Sequence, residues 1–235
     1  MNSKIGIIFI HGAGLGGWIW DNVVKNISVP YACADYTALE RSTNKATLAE
    51  YVAVVNKQVE ALNVQRVIVV AHSVGGVVGN ELSGVLGEKL AAYIGVSAAI
   101  PKPGGNFVST LPFPQKLIMP IILKLAGTKP PESAIRSGLG DGLTASQTDA
   151  IVAKFQQESV HLYTDKTSPG PMPNVPALYI RTTSDKEFPL SVQNESAARL
   201  VGAKVYDVNS GHMPMLSNAD IVAAQINGVA ASLND

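Results

Sequence analysis

The chain has 235 residues, with 18 Lys+Arg against 18 Asp+Glu and no net formal charge. Charged residues make up 15% and hydrophobic residues 46%, which excludes a disordered acidic or basic tail. No basic stripe is present, so nucleic acid is not an expected partner, and the length suits a single α/β domain with a sizeable core.

The first predicted strand is Ile5–Ile10. It runs into a Gly-rich loop, His11-Gly12-Ala13-Gly14-Leu15-Gly16-Gly17-Trp18. Such a loop can turn backbone N–H groups toward a reacting carbonyl oxygen. The competing reading is a dinucleotide loop, since Gly12-Ala13-Gly14 contains G-x-G and Asp35 lies near the distance of a ribose-binding acid. Gly17 does fall three residues after Gly14, but not on the opening turn of a clear Rossmann helix. A second, shorter strand is predicted at Tyr31–Ala34. It contains Cys33, the single cysteine, which reads as a small buried hydrophobe.

A helix is predicted over Thr47–Leu62, where Leu48, Tyr51, Val52, Val55, Val59 and Leu62 recur at helical spacing. A strand follows at Val67–Val70 and ends at Ala71-His72-Ser73-Val74-Gly75-Gly76, ahead of a helix over Gly75–Leu86. This is the form of a nucleophile elbow, G-x-S-x-G, with Ala71 at the first Gly position. The Ser sits on a tight strand-to-helix turn, so the residues two before and two after it must be small. The positive end of the following helix favours negative charge developing there. The N–H groups of Ala13 and Val74 are the expected oxyanion donors.

The fourth strand is predicted at Ala92–Ser97, and the alternation then breaks. Residues 101–173 hold most of the prolines, namely Pro101, Pro103, Pro112, Pro114, Pro120, Pro130, Pro131, Pro169, Pro171 and Pro173. The excursion also has an apolar run at Leu117–Leu123 and a helix-like stretch at Ala145–Ser159. It is too long for a simple loop and reads as an inserted lid over Ser73. Phe107, Leu111, Phe113, Leu117, Met119 and His161 are its candidate pocket residues, joined by Gly12 and Met213. The core would then be residues 1–100 and 174–235.

Strands at Ala177–Thr182 and Lys204–Val208 and helices at Leu190–Leu200 and Ser217–Leu233 complete the alternation, which implies a parallel sheet covered on both faces. Asp185 follows the first of these strands and His212 the second. The order Ser73…Asp185…His212 is that of a Ser-Asp-His triad on an open α/β sheet. His212 can take the Ser proton and return it to a leaving group, with Asp185 holding the other ring nitrogen. Glu187 is the reserve acid, and Asp207, inside the last strand, is a weaker rival. His11 and His72 read as structural hydrogen bonders. The His residues are too scattered for a familiar metal site, and no metal or organic cofactor is expected.

The chain resembles an α/β-hydrolase along nearly its whole length. It is most similar to the compact branch of methylesterases and hydroxynitrile lyases. The resemblance rests on His11-Gly12-Ala13-Gly14…Trp18-Ile19-Trp20, Ala71–Gly76, Ala98-Ala99-Ile100-Pro101 and Gly211-His212-Met213-Pro214-Met215-Leu216-Ser217. It implies an α/β-hydrolase fold with a shortened six-stranded parallel sheet, because the chain starts at the strand that is usually third. The Gly12 and Met213 pattern resembles the esterase members. The Ser73, His212 and Asp185 constellation points to ester hydrolysis through an acyl-enzyme, and the apolar excursion suggests a small to medium, mostly apolar ester. Many lyases of the branch carry Thr or Asn at the Gly12 position, and some carry Lys at the Met213 position. A lyase acting on cyanohydrins and a ligand-binding or signalling protein remain the alternatives. No stretch of about eighteen uncharged apolar residues is present, and no signal peptide is recognisable. A cytoplasmic monomer or homodimer acting on a small-molecule ester is the resulting expectation.

Overall fold

The computed structural model describes residues 4–170 and 172–233. The ends of the predicted core, residues 1–3 and 234–235, and Pro171 of the excursion lie outside that set. Strand β1 is Ile5–Ile10, followed by a 3-10 turn at Gly17–Trp20 and the one-turn helix α1, Asp21–Val24. Strand β2 is Tyr31–Cys33, helix α2 Leu48–Ala61, strand β3 Arg66–His72, helix α3 Gly75–Leu86 and strand β4 Leu90–Val96. Five helices fill the excursion: α4 Phe107–Thr110, α5 Gln115–Ala126, α6 Glu132–Ser137, α7 Ala145–Lys154 and α8 His161–Thr164. Strand β5 (Ala177–Thr182), α9 (Leu190–Ala198), β6 (Lys204–Val208), α10 (Pro214–Ser217) and α11 (Ala219–Ser232) close the chain.

The six strands pair in the order β2-β1-β3-β4-β5-β6, all parallel. The fold class read from the alternation is the one observed. The chain leaves β1 in one direction to make β2 and in the other to make β3, so the order reverses between β1 and β3. Open α/β sheets place their crevice there, at the carboxyl ends of the strands. The Gly12 loop and Ser73 leave β1 and β3 at that point.

Period-2 alternation divides the strand residues between two cores. Ile8, Ile10, Val67, Val69 and Ala71 join one cluster with Tyr51, Val55 and Val59 of α2 and Val77, Val78 and Leu82 of α3. Ile5, Ile7, Phe9, Ile68 and Val70 join the other with Trp20 and with Val222, Ala223 and Ile226 of α11. The start of α2 is fixed by a capping box, in which Thr47 accepts from the Glu50 N–H and Glu50 accepts from the Thr47 N–H.

The excursion is tied to this core by a buried ion pair. Glu158 Oε1 lies 3.1 Å from Arg41 Nη1, and its other oxygen accepts from Tyr51 Oη at 2.8 Å. The Glu158 backbone exchanges hydrogen bonds with the Thr128 hydroxyl at 2.6 and 3.0 Å. Arg41→Met is expected to cost about 3–5 kcal/mol in urea unfolding, because it leaves the Glu158 carboxylate buried without its cation.

Candidate active site

Ser73 has φ +54°, in the left-handed region that a β-carbon disfavours. Packing forces this conformation. A Cβ on Gly75 would stand 2.5 Å from the His11 carbonyl oxygen, and one on Gly76 2.5 Å from that of Ala99. The start of α3 therefore meets the backbone leaving β1 and β4 directly, on either side of the turn that carries Ser73. Gly75→Ala is expected to cost about 1–3 kcal/mol, read as a lower melting temperature. The methyl of Ala71 is accommodated by Gly79, where an added Cβ would lie 3.1 Å from it.

The loop after β1 lies against this elbow. A Cβ on Gly12 would meet Ser73 Cβ at 2.9 Å and His72 Nδ1 at 3.0 Å, so Gly12 lets the loop approach the nucleophile. Glu158 reaches the same loop and accepts from the Gly14 N–H at 3.2 Å, while the Gln156 N–H donates to the Gly14 carbonyl at 2.9 Å. Among the described residues, neither the Ala13 nor the Val74 N–H is taken up by a backbone acceptor. Both residues line the same cavity as Ser73. A dinucleotide loop would open onto a full helix, whereas this one leads to a 3-10 turn and has a carboxylate bonded to its backbone.

His212 follows β6 and Asp185 follows β5. His212 Nδ1 lies 2.7 Å from Asp185 Oδ2, with both side chains buried. An ionised carboxylate only accepts, so Nδ1 carries the proton and Nε2 keeps a lone pair. Asp185 is held on every side. Its Oδ2 also accepts from Ser97 Oγ at 2.6 Å and Thr182 Oγ1 at 2.8 Å. Its Oδ1 accepts from the N–H groups of Glu187 at 2.9 Å and Phe188 at 2.8 Å. Burial pushes the Asp185 carboxyl up, but the His212 charge and these hydrogen bonds outweigh it and hold the group well below the usual range. Burial lowers His212, yet the Asp185 charge and hydrogen bond, with a further push from Glu187, leave it raised.

The support for His212 comes from His72. Its Nε2 lies 2.9 Å from the His212 carbonyl, which can only accept, so Nε2 carries the proton. Burial lowers His72 far below its ordinary value and keeps it neutral beside the His212 ring, 4.7 Å away between centroids. His11 is likewise neutral, pushed down by burial to about 4, and packs on Tyr36 at 4.7 Å. Ser97 and Thr182, which hold Asp185, escaped the sequence reading. Each is a polar residue at the carboxyl end of a buried strand, and Ser97 has φ +43°.

Ser73 and His212 share the wall of a cavity of about 330 Å³. Its other walls are largely apolar, with Leu15, Phe188 and, from the excursion, Phe107, Met119, Leu123, Phe155 and Tyr163. Glu187 and Lys129 add charge. A shallower hollow of about 570 Å³, between Thr47 and Lys166, holds none of these residues.

Several expected pocket residues lie elsewhere. Leu117 points to solvent, because α5 turns its opposite face inward, and Phe113, just before the helix, is exposed as well. Leu111 packs at the edge of the first core. His161 pairs with Asp165 at 2.7 Å on the outside of α8. Met213 is fully buried in the second core, so the position after His212 does not face the cavity. Of the rival acids, Asp207 is bound to Arg181 at 2.7 and 2.8 Å, away from His212. Glu187 lines the cavity without displacing Asp185. Among the described residues, no group of three or more His, Cys, Asp or Glu is placed to hold a metal ion. No helix there is long and apolar enough to cross a membrane.

Comparison with known proteins finds no match among curated sequences. Solved structures match closely in shape. An extracellular α/β-hydrolase from a Paenibacillus species superposes with a TM-score of 0.83 at 15% identity, covering 96% of this chain and 98% of that one. A pyrethroid hydrolase from Sphingobium faniae gives 0.72 at 21% identity, covering 97% and 98%. Polyneuridine aldehyde esterase gives 0.76 at 17% identity, covering 97% and 100%. At these identities the likeness is one of fold. The sequence profile of one family matches residues 7–225, from β1 into α11, and the chain belongs to the alpha/beta hydrolase family.

Proposed function

We propose that the chain is a serine carboxylesterase acting on small to medium, mostly apolar esters. The observation that carries this reading is Ser73 at φ +54° on a cavity wall shared with a His212 already paired to a buried Asp185. Ser73 Oγ attacks the ester carbonyl as His212 Nε2 takes its proton. Asp185 stabilises the imidazolium. The Ala13 and Val74 N–H groups receive the oxyanion, each contributing about 3 kcal/mol to barrier lowering. His212 then protonates the departing alcohol, and water attacks the acyl-Ser73 ester by the same route in reverse.

In this reading residues 101–173 form the lid over a core of residues 1–100 and 174–235. The lid excludes water and shapes the pocket, with Phe107 and Met119 as substrate contacts. A cavity of about 330 Å³ lies at the small end of ligand pockets, roughly 300–1,000 Å³. Its apolar walls suit a short or medium acyl chain. Structural neighbours named as an esterase and a pyrethroid hydrolase support ester cleavage in general. No cofactor enters the reaction, and a cytoplasmic location belongs to the same reading.

A lyase relative with a side chain at the Gly12 position would need a different loop path, given the 2.9 Å approach to Ser73 Cβ. The test is hydrolysis of p-nitrophenyl acetate, butyrate and octanoate, with mass spectrometry of Ser73 after a fluorophosphonate. Turnover with labelling at Ser73 supports the reading. Labelling without turnover of any ester, together with cyanohydrin cleavage, would replace it with the lyase.

A further inference from the structure

Helix α5 is apolar on two opposite faces. Its inner face gives Met119, Ile122, Leu123 and Ala126 to the cavity wall. Leu117, Ile118, Ile121 and Leu125 fall on the opposite side at helical spacing and are 47 to 80% exposed. Phe113, just before the helix, is 72% exposed. A contiguous outward apolar face is costly in water and marks a contact surface.

Charge identifies the contact. From Lys102 to Pro131 the sequence has four lysines, Lys102, Lys116, Lys124 and Lys129, and no Asp or Glu. All four are exposed. The chain as a whole is neutral, so the local excess belongs to this region. A second copy on a two-fold axis would set these lysines against one another. The helix has 12 residues, giving a face about 18 Å long and 10 Å wide. A protruding apolar helix with a lysine flank instead fits the boundary of a lipid layer, side chains in the acyl region and ammonium groups at the head groups.

We propose that the outer face of α5 docks on an anionic lipid surface through Leu117, Ile118, Ile121 and Leu125, with Lys116 and Lys124 at the lipid phosphates. The docking does not depend on the esterase reading. Its consequence would be that apolar molecules dissolved in the lipid meet the helix whose inner face lines the cavity.

The test is co-sedimentation with vesicles of phosphatidylglycerol and phosphatidylcholine, against phosphatidylcholine alone. The wild type is expected to bind the anionic vesicles and to be released by salt. Ile121→Asn/Leu125→Asn should weaken binding at least about tenfold. Lys116→Gln/Lys124→Gln should weaken it about thirtyfold, on the anionic vesicles only. Both variants should keep the far-ultraviolet spectrum and the hydrolysis of a water-soluble ester. Ser73→Ala should bind as the wild type does, so a failed esterase reading leaves this result intact. Absence of wild-type binding, or binding indifferent to Ile121 and Leu125, overturns the proposal. A concentration-dependent dimer dissolved by the same double variant would assign the face to a second copy and overturn it equally.

Discussion

Ser73→Ala is expected to lower kcat for p-nitrophenyl butyrate by about a million-fold, with little change in substrate affinity. The size of the effect follows from the shared role of the three residues. Without the hydroxyl, His212 has no proton to take and Asp185 no imidazolium to stabilise, so their contributions vanish together. The rate left over, about 10³–10⁴ above water, would come from the Ala13 and Val74 N–H groups and from positioning. Ser73→Gly should be equally inactive yet more stable than Ser73→Ala in urea. Glycine has no β-carbon to resist φ +54°, a conformation that costs other residues about 1 kcal/mol or more. Active Ser73→Ala enzyme would end the serine-esterase reading. A Ser73→Gly variant less stable than Ser73→Ala would mean that the elbow is not strained.

Which parts of this molecule were legible in its sequence depends on how locally each was determined. The inner strands were legible as apolar runs because both faces of a parallel sheet are buried there. The edge strand Lys204–Val208, exposed over its first four residues, was legible from its β-favouring residues between turn signals. Ile5–Ile10, Ala177–Thr182 and Lys204–Val208 have the bounds read from their sequence patterns. Helix α2 is signalled by its apolar spacing, and its Thr47–Glu50 capping box was there to be read. The last predicted helix was read as one piece from Ser217. The chain instead makes a turn at Pro214–Ser217 and restarts after Asn218, because Pro214 opens a separate turn just past His212. Helix α5 defeated periodicity. It is apolar on two faces with Pro120 inside, so only its packing on the cavity reveals which side is inward. That is why Met119 was placed with Leu117 and Phe113, which face the other way. Met213 was assigned by adjacency to His212, but adjacent residues on a turn need not share a direction. Ser97 and Thr182 carry no motif, and they matter only because the sheet brings the ends of β4 and β5 beside Asp185.

Asp185→Asn is expected to lower kcat/KM by about 10⁴ and to move its acid limb. Activity needs His212 neutral, so the rate falls as pH drops through the His212 pKa. In the wild type that pKa is raised above the ordinary 6.5 by Asp185, against the downward push of burial. The wild-type limb should therefore lie above 6.5. Removing the carboxylate charge leaves burial dominant, with Glu187 as a weaker upward influence, so the variant's limb should move toward acid. A variant that is slower yet keeps its activity at lower pH separates electrostatic support from simple misfolding. The large rate loss has a second source. An Asn amide can donate to Nδ1, which favours the tautomer with the proton on Nε2 and removes the lone pair that would take the Ser73 proton. Glu187→Gln is the matched control. It lines the cavity but makes no hydrogen bond to His212 Nδ1, which Asp185 holds at 2.7 Å. Its rate should stay within about tenfold of wild type, with a small acid-ward shift of the limb. If Glu187→Gln proved the slower of the two variants, the acid of the triad would have been misassigned. The four other donors around Asp185 would then be shaping the β5 turn and not orienting the imidazole.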